Sequence, residues 1–127
     1  MNRKIKKMTL REIKELLKCE VITGNDNLDL EVLSGGGCDL MSDVLAFGKP
    51  GMLLLTGLTN AQSVKTADIV DIKAIIYVRG KKPDKEGIEL AKKKGIPLLS
   101  TKHMMFEACG ILYSAGLPSV NETEKND

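Results

Sequence analysis

Residues 52–60 read MLLLTGLTN, and the first five of them decide the architecture. Met52, Leu53, Leu54, Leu55 and Thr56 are uncharged without a break, so an extended segment here hides side chains on both of its faces. A strand of that kind belongs inside a sheet covered by helices on either side, which is the habit of parallel sheets. Gly57 ends the run, and Asn60, a good helix cap, opens a segment that reads as helix to about residue 71. The same cycle follows twice more: AIIYV at 74–78 before a helix over 84–94, and IPLLS at 96–100 before a helix over 102–115. Three strand-helix units in succession, each needing a right-handed crossover, predict an α/β fold, a mainly parallel sheet flanked by helices.

Upstream the signals are more local. Thr9 stands three residues before Glu12 and ahead of LREIKELLK, with Leu10, Ile13, Leu16 and Leu17 on one face, which predicts a capping box and an amphipathic helix. Residues 19–23 (CEVIT) predict a short strand closed by the turn Gly24-Asn25-Asp26-Asn27. Residues 28–34 suggest a second strand ending at three glycines. A short helix over 42–47 is stopped by Gly48-Lys49-Pro50-Gly51.

With 127 residues there is room for one ordinary domain. Residues 1–7 are read as a basic extension, 8–117 as the domain, and 118–127 as a flexible polar tail. The chain has no Trp and only two Phe and two Tyr, so its core rests on aliphatic residues and six Met. Lys and Arg number 19 against 17 Asp and Glu, too even a balance for a nucleic-acid or membrane surface. Three cysteines far apart and one histidine form no metal-ligand or disulfide spacing, and no signal peptide or membrane span is present in the sequence, so a cytoplasmic protein without metal or cofactor is expected.

In open α/β sheets, ligands bind beyond the carboxyl ends of the strands, where loops converge and helix N-termini point outward. That rule selects Ser34, Gly35, Gly36, Gly37 and Asp39; Thr56, Thr59 and Asn60; Arg79 and Gly80, with Lys81 and Lys82 in the same loop; and Ser100 and Thr101, followed by Lys102. Glycine, Ser and Thr also shape loops and caps, so no single one marks a site; only their convergence does. Neither GxxxxGK[ST] nor GxGxxG occurs, leaving no P-loop and no dinucleotide fingerprint. A nucleophilic Cys38 needs a base, and His103 has no sequence relation to it. Asp39 and Asp43 read as acids favouring a helix start rather than as a catalytic pair.

The stretches MTLREIKELLKCEVITG, LSGGGCDLMSDVLAFGKPGMLLLTGLTN and IVDIKAIIYVRGKKPDKEGIELAKKKGIPLLSTKHMMFEACGILY together resemble the DRTGG domain family over residues 8 to about 116. The most specific pieces are AIIYVRGKKPD, GIELAKKKGIPLLST, and SDVL followed by KPGMLLLT. The resemblance implies a stand-alone, single-domain member whose fold is similar to the N-terminal domain of bacterial HPr kinase/phosphorylase. Such domains occur beside CBS domains in regulated pyrophosphatases and within long phosphotransacetylases. It implies a regulatory module, commonly dimeric, that in some architectures contributes to adenine-nucleotide sensing. It implies no kinase activity, since that chemistry lives in a separate P-loop domain. Where many members carry a Thr-Gly-Gly-like loop, this chain has Val78-Arg79-Gly80.

Two functions follow as expectations. One is a non-catalytic, dimeric regulatory module holding an adenine nucleotide or another phosphorylated small molecule at the strand ends. The alternative is an adaptor that docks a metabolic enzyme through a surface built on Met104, Met105 and Phe106.

Overall fold

A computed structural model describes residues 4–122. The elements are β1 (Met8–Thr9), α1 (Leu10–Leu17), β2 (Glu20–Thr23), β3 (Glu31–Val32), β4 (Ser34–Gly37), α2 (Met41–Phe47), β5 (Met52–Thr56), α3 (Ala61–Ile69), β6 (Ala74–Tyr77), α4 (Lys85–Lys94), β7 (Leu98–Ser100) and α5 (Met105–Ala115). Five strands form one sheet in the order β2-β7-β6-β5-β4. The last four are parallel, and β2 lies antiparallel against β7. β1 and β3 make a small antiparallel pair, with Met8 opposite Val32.

The all-apolar strands are explained by the two layers of helices. Leu53, Leu55, Ala74, Ile76, Val78 and Leu99 point into a core shared with α1 and α5. Met52, Leu54, Ile75, Tyr77 and Leu98 point the other way, into a core shared with α2, α3 and α4. Alternation within each strand thus feeds two cores, and neither face can afford a polar residue without a partner. Tyr77 meets this requirement: it is fully buried, and its hydroxyl lies 2.9 Å from Ser63 Oγ. Ser63 Oγ in turn donates to the Asn60 carbonyl at 3.0 Å.

The helix ends follow the sequence signals. Glu12 N–H donates to Thr9 Oγ1 at 3.2 Å and Thr9 N–H to Glu12 Oε1 at 2.9 Å, so the capping box is closed. Leu10, Ile13 and Leu17 are buried, while Leu16, placed on the same face by its spacing, stands at the edge of the stripe and is exposed. Asn60 caps α3 and Asp84 caps α4. α5 begins only at Met105, because residues 101–104 are used in a loop.

One expectation is corrected. The strand expected over 28–34 shortens to β3, and the glycines do not merely end it: Ser34–Gly37 is a further strand, paired in parallel with Met52 to Leu55. Its glycines serve packing. A Cβ on Gly35 would lie 2.7 Å from Leu117, and one on Gly37 would lie 2.8 Å from both Cys109 Sγ and Met105 Sδ, so α5 and the segment after it approach this strand more closely than any side chain permits. Residues 118–120 lie against the sheet. Pro118 is buried, its carbonyl accepts from Gly35 N–H at 2.9 Å, Ser119 bridges to Gly35, and Val120 packs on the second core. Residues 1–3 of the basic extension and 123–127 of the tail lie outside the described residues. At the amino side, Lys6 N–H donates to the Gly116 carbonyl at 3.0 Å.

Burial pushes the Cys19 thiol from its ordinary 9.0 up to about 12. An unfolded chain therefore loses this proton near pH 9 while the folded chain keeps it, so deprotonation favours unfolding between those values. Chemical denaturation is expected to show stability falling as pH rises above 9, with a shallower fall in Cys19→Ala; identical slopes would remove Cys19 as the cause.

Candidate functional site

At the carboxyl end of the sheet, the chain leaves β4 through Cys38 and Asp39, β5 through Gly57, β6 through Val78 to Lys82, and β7 through Thr101 to Met104. Because β2 is antiparallel, its amino end also lies here, with Glu20 opposite Ser100 and Lys18 just before it.

Most of the hydroxyls and amides singled out from the sequence are already engaged. Asp39 Oδ1 accepts from Gly57 N–H at 2.6 Å and from Thr56 Oγ1 at 3.0 Å, so the anion position at the end of β5 is filled by the chain's own carboxylate. Thr56 Oγ1 also accepts from Leu58 N–H at 3.1 Å. Asp39 precedes α2, so it and Asp43 do not share a helix face as their spacing suggested. Asn60 Oδ1 caps Gln62 N–H at 3.1 Å, and the Thr59 carbonyl accepts from Asp84 N–H at 3.1 Å. Thr101 Oγ1 donates to the Leu17 carbonyl at 2.7 Å and accepts from His103 N–H at 3.3 Å. Ser100 Oγ donates to the Lys81 carbonyl at 2.7 Å. Ser34 opens β4 and so lies at the opposite end of the sheet, away from this rim.

The Val78 to Lys81 turn is unusual. Lys81 N–H donates to the Val78 carbonyl at 3.2 Å, and both central residues have positive φ, 62° at Arg79 and 70° at Gly80. That is the backbone of a type I′ turn, which favours Asn or Gly at both positions. A pair of glycines would adopt it freely; Arg79 adopts it at a cost of about 1–2 kcal/mol. The loop after β7 holds the turn in place, since Arg79 N–H donates to the His103 carbonyl and Gly80 N–H to the Thr101 carbonyl, both at 2.8 Å. Arg79→Gly is expected to raise stability by about 1 kcal/mol in denaturant titration; a loss of stability would show that the arginine side chain supports the fold.

The cations stand beside these engaged groups. A groove of about 460 Å³ at the ends of β6 and β7 is lined by Lys18, Lys82, Lys102 and His103 around Gly80, Ser100 and Thr101. Glu20 is the one carboxylate in that lining, and it pairs with Lys82 at 2.9 Å. His103 Nδ1 lies 2.7 Å from Glu107 Oε1. Arg79 sits on the adjoining turn, near enough that a Cβ on Gly57 would meet its guanidinium at 3.2 Å. Lys81 Nζ donates to the Gly57 carbonyl at 3.3 Å. The loops at Gly80, Ser100 and Thr101 thus converge, whereas Gly35, Gly36 and Gly37 line a different, apolar groove of about 350 Å³ against α5. Lys18 has no sequence signal as a site residue, because only the antiparallel placement of β2 brings it here.

Among the described residues, no cluster of three or more His, Cys, Asp or Glu is arranged to hold a metal. No described helix is long and apolar enough to cross a membrane. Burial raises the Cys19 and Cys109 thiols, which disfavours their reactive thiolate form. Cys38 Sγ donates to the Leu40 carbonyl at 3.4 Å, and the ring of His103 is turned to Glu107.

The architecture is therefore a mixed α/β domain with a mostly parallel five-stranded sheet between two helical layers and a cationic groove at its carboxyl edge. No family model matches the chain, and no curated protein matches it significantly. Among solved structures it is similar to the CBS and DRTGG domains of the regulatory region of Clostridium perfringens pyrophosphatase, determined in complex with the activator diadenosine tetraphosphate. The TM-score is 0.70 at 23% identity, over 94% of this chain and 51% of that one. This chain spans about half the length of that regulatory region. The likeness is one of fold, and it supports the DRTGG-like fold that the sequence resemblance implies.

Proposed function

We propose that the chain is a non-catalytic regulatory module that binds a small anionic ligand, an adenine nucleotide or a related phosphorylated molecule, at the carboxyl ends of β6 and β7. The observation that carries this reading is the charge of the groove: Lys18, Lys82 and Lys102 line about 460 Å³ in which Glu20 is the one acid of the lining. Cations gathered around a concave site attract phosphate and form charge-assisted hydrogen bonds to it. Arg79, set in a left-handed conformation that costs free energy, stands on the turn beside the groove and is the nearby side chain able to reach a phosphate bidentately. The similar pyrophosphatase region binds an adenine nucleotide as activator, which agrees in chemical class.

The sequence-derived ligand set narrows accordingly. Gly80, Ser100 and Thr101 remain with the groove as walls, and Arg79 stands on the adjoining turn with its guanidinium toward Gly57. Asp39, Thr56, Thr59 and Asn60 hold the neighbouring loops. Thermal unfolding against AMP, ADP, ATP and diadenosine polyphosphates tests the reading. At least one of them is expected to raise the melting temperature in a saturable way; no stabilisation by any at millimolar concentration would count against it.

The module is further proposed to act as a homodimer through α5, whose Phe106 is 92% exposed and whose Tyr113 is also largely uncovered, as is Met104 just before the helix. The same apolar face favours the second reading, an adaptor for a partner enzyme, because an exposed aromatic beside a groove of glycines suits protein contact. Sedimentation velocity separates them: a two-chain species that becomes a single chain in Phe106→Asp supports pairing, and a single chain in both supports the adaptor.

A further inference from the structure

At the amino ends of the strands, on the far side of the sheet from the cationic groove, four segments meet around Ser34. The junction of β3 with β4 is tied to the turn before β5 by Leu33 N–H donating to the Gly51 carbonyl at 3.0 Å. The amino-terminal segment is tied to the end of α5 by Lys6 N–H on the Gly116 carbonyl, and Pro118 is tied to β4 by its bond from Gly35 N–H. Between these segments lies a groove of about 400 Å³. Ile5, Leu33, Pro50 and Pro118 form its apolar walls.

The polar groups of this groove lack protein partners. Ser34 is 2% exposed and lines the groove, yet among the described residues its hydroxyl makes no hydrogen bond. Buried hydroxyls are normally satisfied, so one without a protein partner at a groove wall marks where a ligand atom belongs. Lys6, Lys7 and Lys49 also line the groove, and among the described residues none has a carboxylate within ion-pair distance. Three unpaired ammonium groups, a buried donor and apolar walls describe one kind of molecule.

We propose that this groove is a second binding site, independent of the one at the carboxyl ends, and that it takes a small organic anion with a phosphate or carboxylate on an apolar body. The apolar body lies against Ile5, Leu33 and Pro118. The anionic head accepts from Ser34 Oγ and from the lysines in charge-assisted hydrogen bonds.

Octyl phosphate, kept below its aggregation concentration, is the probe, and amide chemical shifts of the full chain are the readout. Saturable shifts are expected at Lys6, Lys7, Ser34 and Lys49, with Gly80, Thr101 and Lys102 unmoved. Lys7→Glu with Lys49→Glu is expected to weaken binding about tenfold or more, and Ser34→Ala, which adds no bulk, several-fold. Neutral octyl glucoside is expected to bind at least tenfold more weakly, as charged hydrogen bonds are lost. Equal binding of octyl glucoside, shifts centred on Phe106 and Tyr113 instead, or an affinity indifferent to the lysine reversals would overturn the proposal.

Discussion

Lys82→Glu combined with Lys102→Glu is expected to weaken nucleotide binding about hundredfold while leaving the fold intact. Both lysines line the groove at the ends of β6 and β7, and both lie in exposed loops. A hydrogen bond to a charged group contributes about 1.5–3 kcal/mol, so removing two of them costs about 3 kcal/mol or more, which corresponds to about two orders of magnitude in affinity. The cost to stability is small, because the Lys82–Glu20 pair is solvent-exposed and such pairs contribute about 0–1 kcal/mol. Isothermal titration gives the affinity and urea titration the stability. Wild-type affinity in the double variant would place the ligand elsewhere. Raising ionic strength should weaken wild-type binding in the same direction, since exposed charges are screened.

Gly37→Val is expected to have the opposite profile, a loss of about 1–3 kcal/mol in stability with nucleotide binding retained. A Cβ at Gly37 would come within 2.8 Å of Cys109 Sγ and Met105 Sδ, so both side chains must move or α5 must shift away from β4. Gly37 is extended and carries no positive φ; the destabilisation is therefore one of overpacking, and the added β-branch is otherwise suited to a strand. The variant decides what the triple glycine is for. A phosphate cradle would lose ligand and keep its stability, whereas a close-packed edge strand loses stability and keeps its ligand.

The fold was largely legible because its signals were redundant. MLLLT, AIIYV and IPLLS each bury two faces, and the first two are followed by helices opening on a small polar cap, Asn60 and Asp84, so the strands, the helical layers and the parallel arrangement support one another. The glycine strand escaped notice because glycine is depleted in strands and its reason for being there, the side chains of Met105, Cys109 and Leu117, lies some 70 residues further along the chain. The antiparallel edge β2 was equally hidden, since a strand of four residues says nothing about its direction.

The site was legible only in outline. The carboxyl-end rule gathers Arg79, Gly80, Ser100 and Thr101, which stand together at one rim of the sheet, yet many of the polar atoms it gathers are used by the chain itself. Asp39 and Thr56 bind one another across two loops, and Thr101 is spent on the Leu17 carbonyl, a partner 84 positions away in sequence. Ser34 was placed at the wrong end because the strand begins, rather than ends, at that residue. Lys18 could not be foreseen without the direction of β2. Residue type identified which groups could bind; which were still free to do so depended on tertiary hydrogen bonding.

The central claim is that an anionic ligand occupies the groove between the ends of β6 and β7. Amide shift mapping during titration with ATP and with diadenosine tetraphosphate tests it most directly. Saturable shifts are expected at Lys18, Arg79, Gly80, Lys82 and residues 100–103, abolished in Lys82→Glu with Lys102→Glu. Saturable shifts confined to α5 and β4, or none at millimolar ligand, would contradict it.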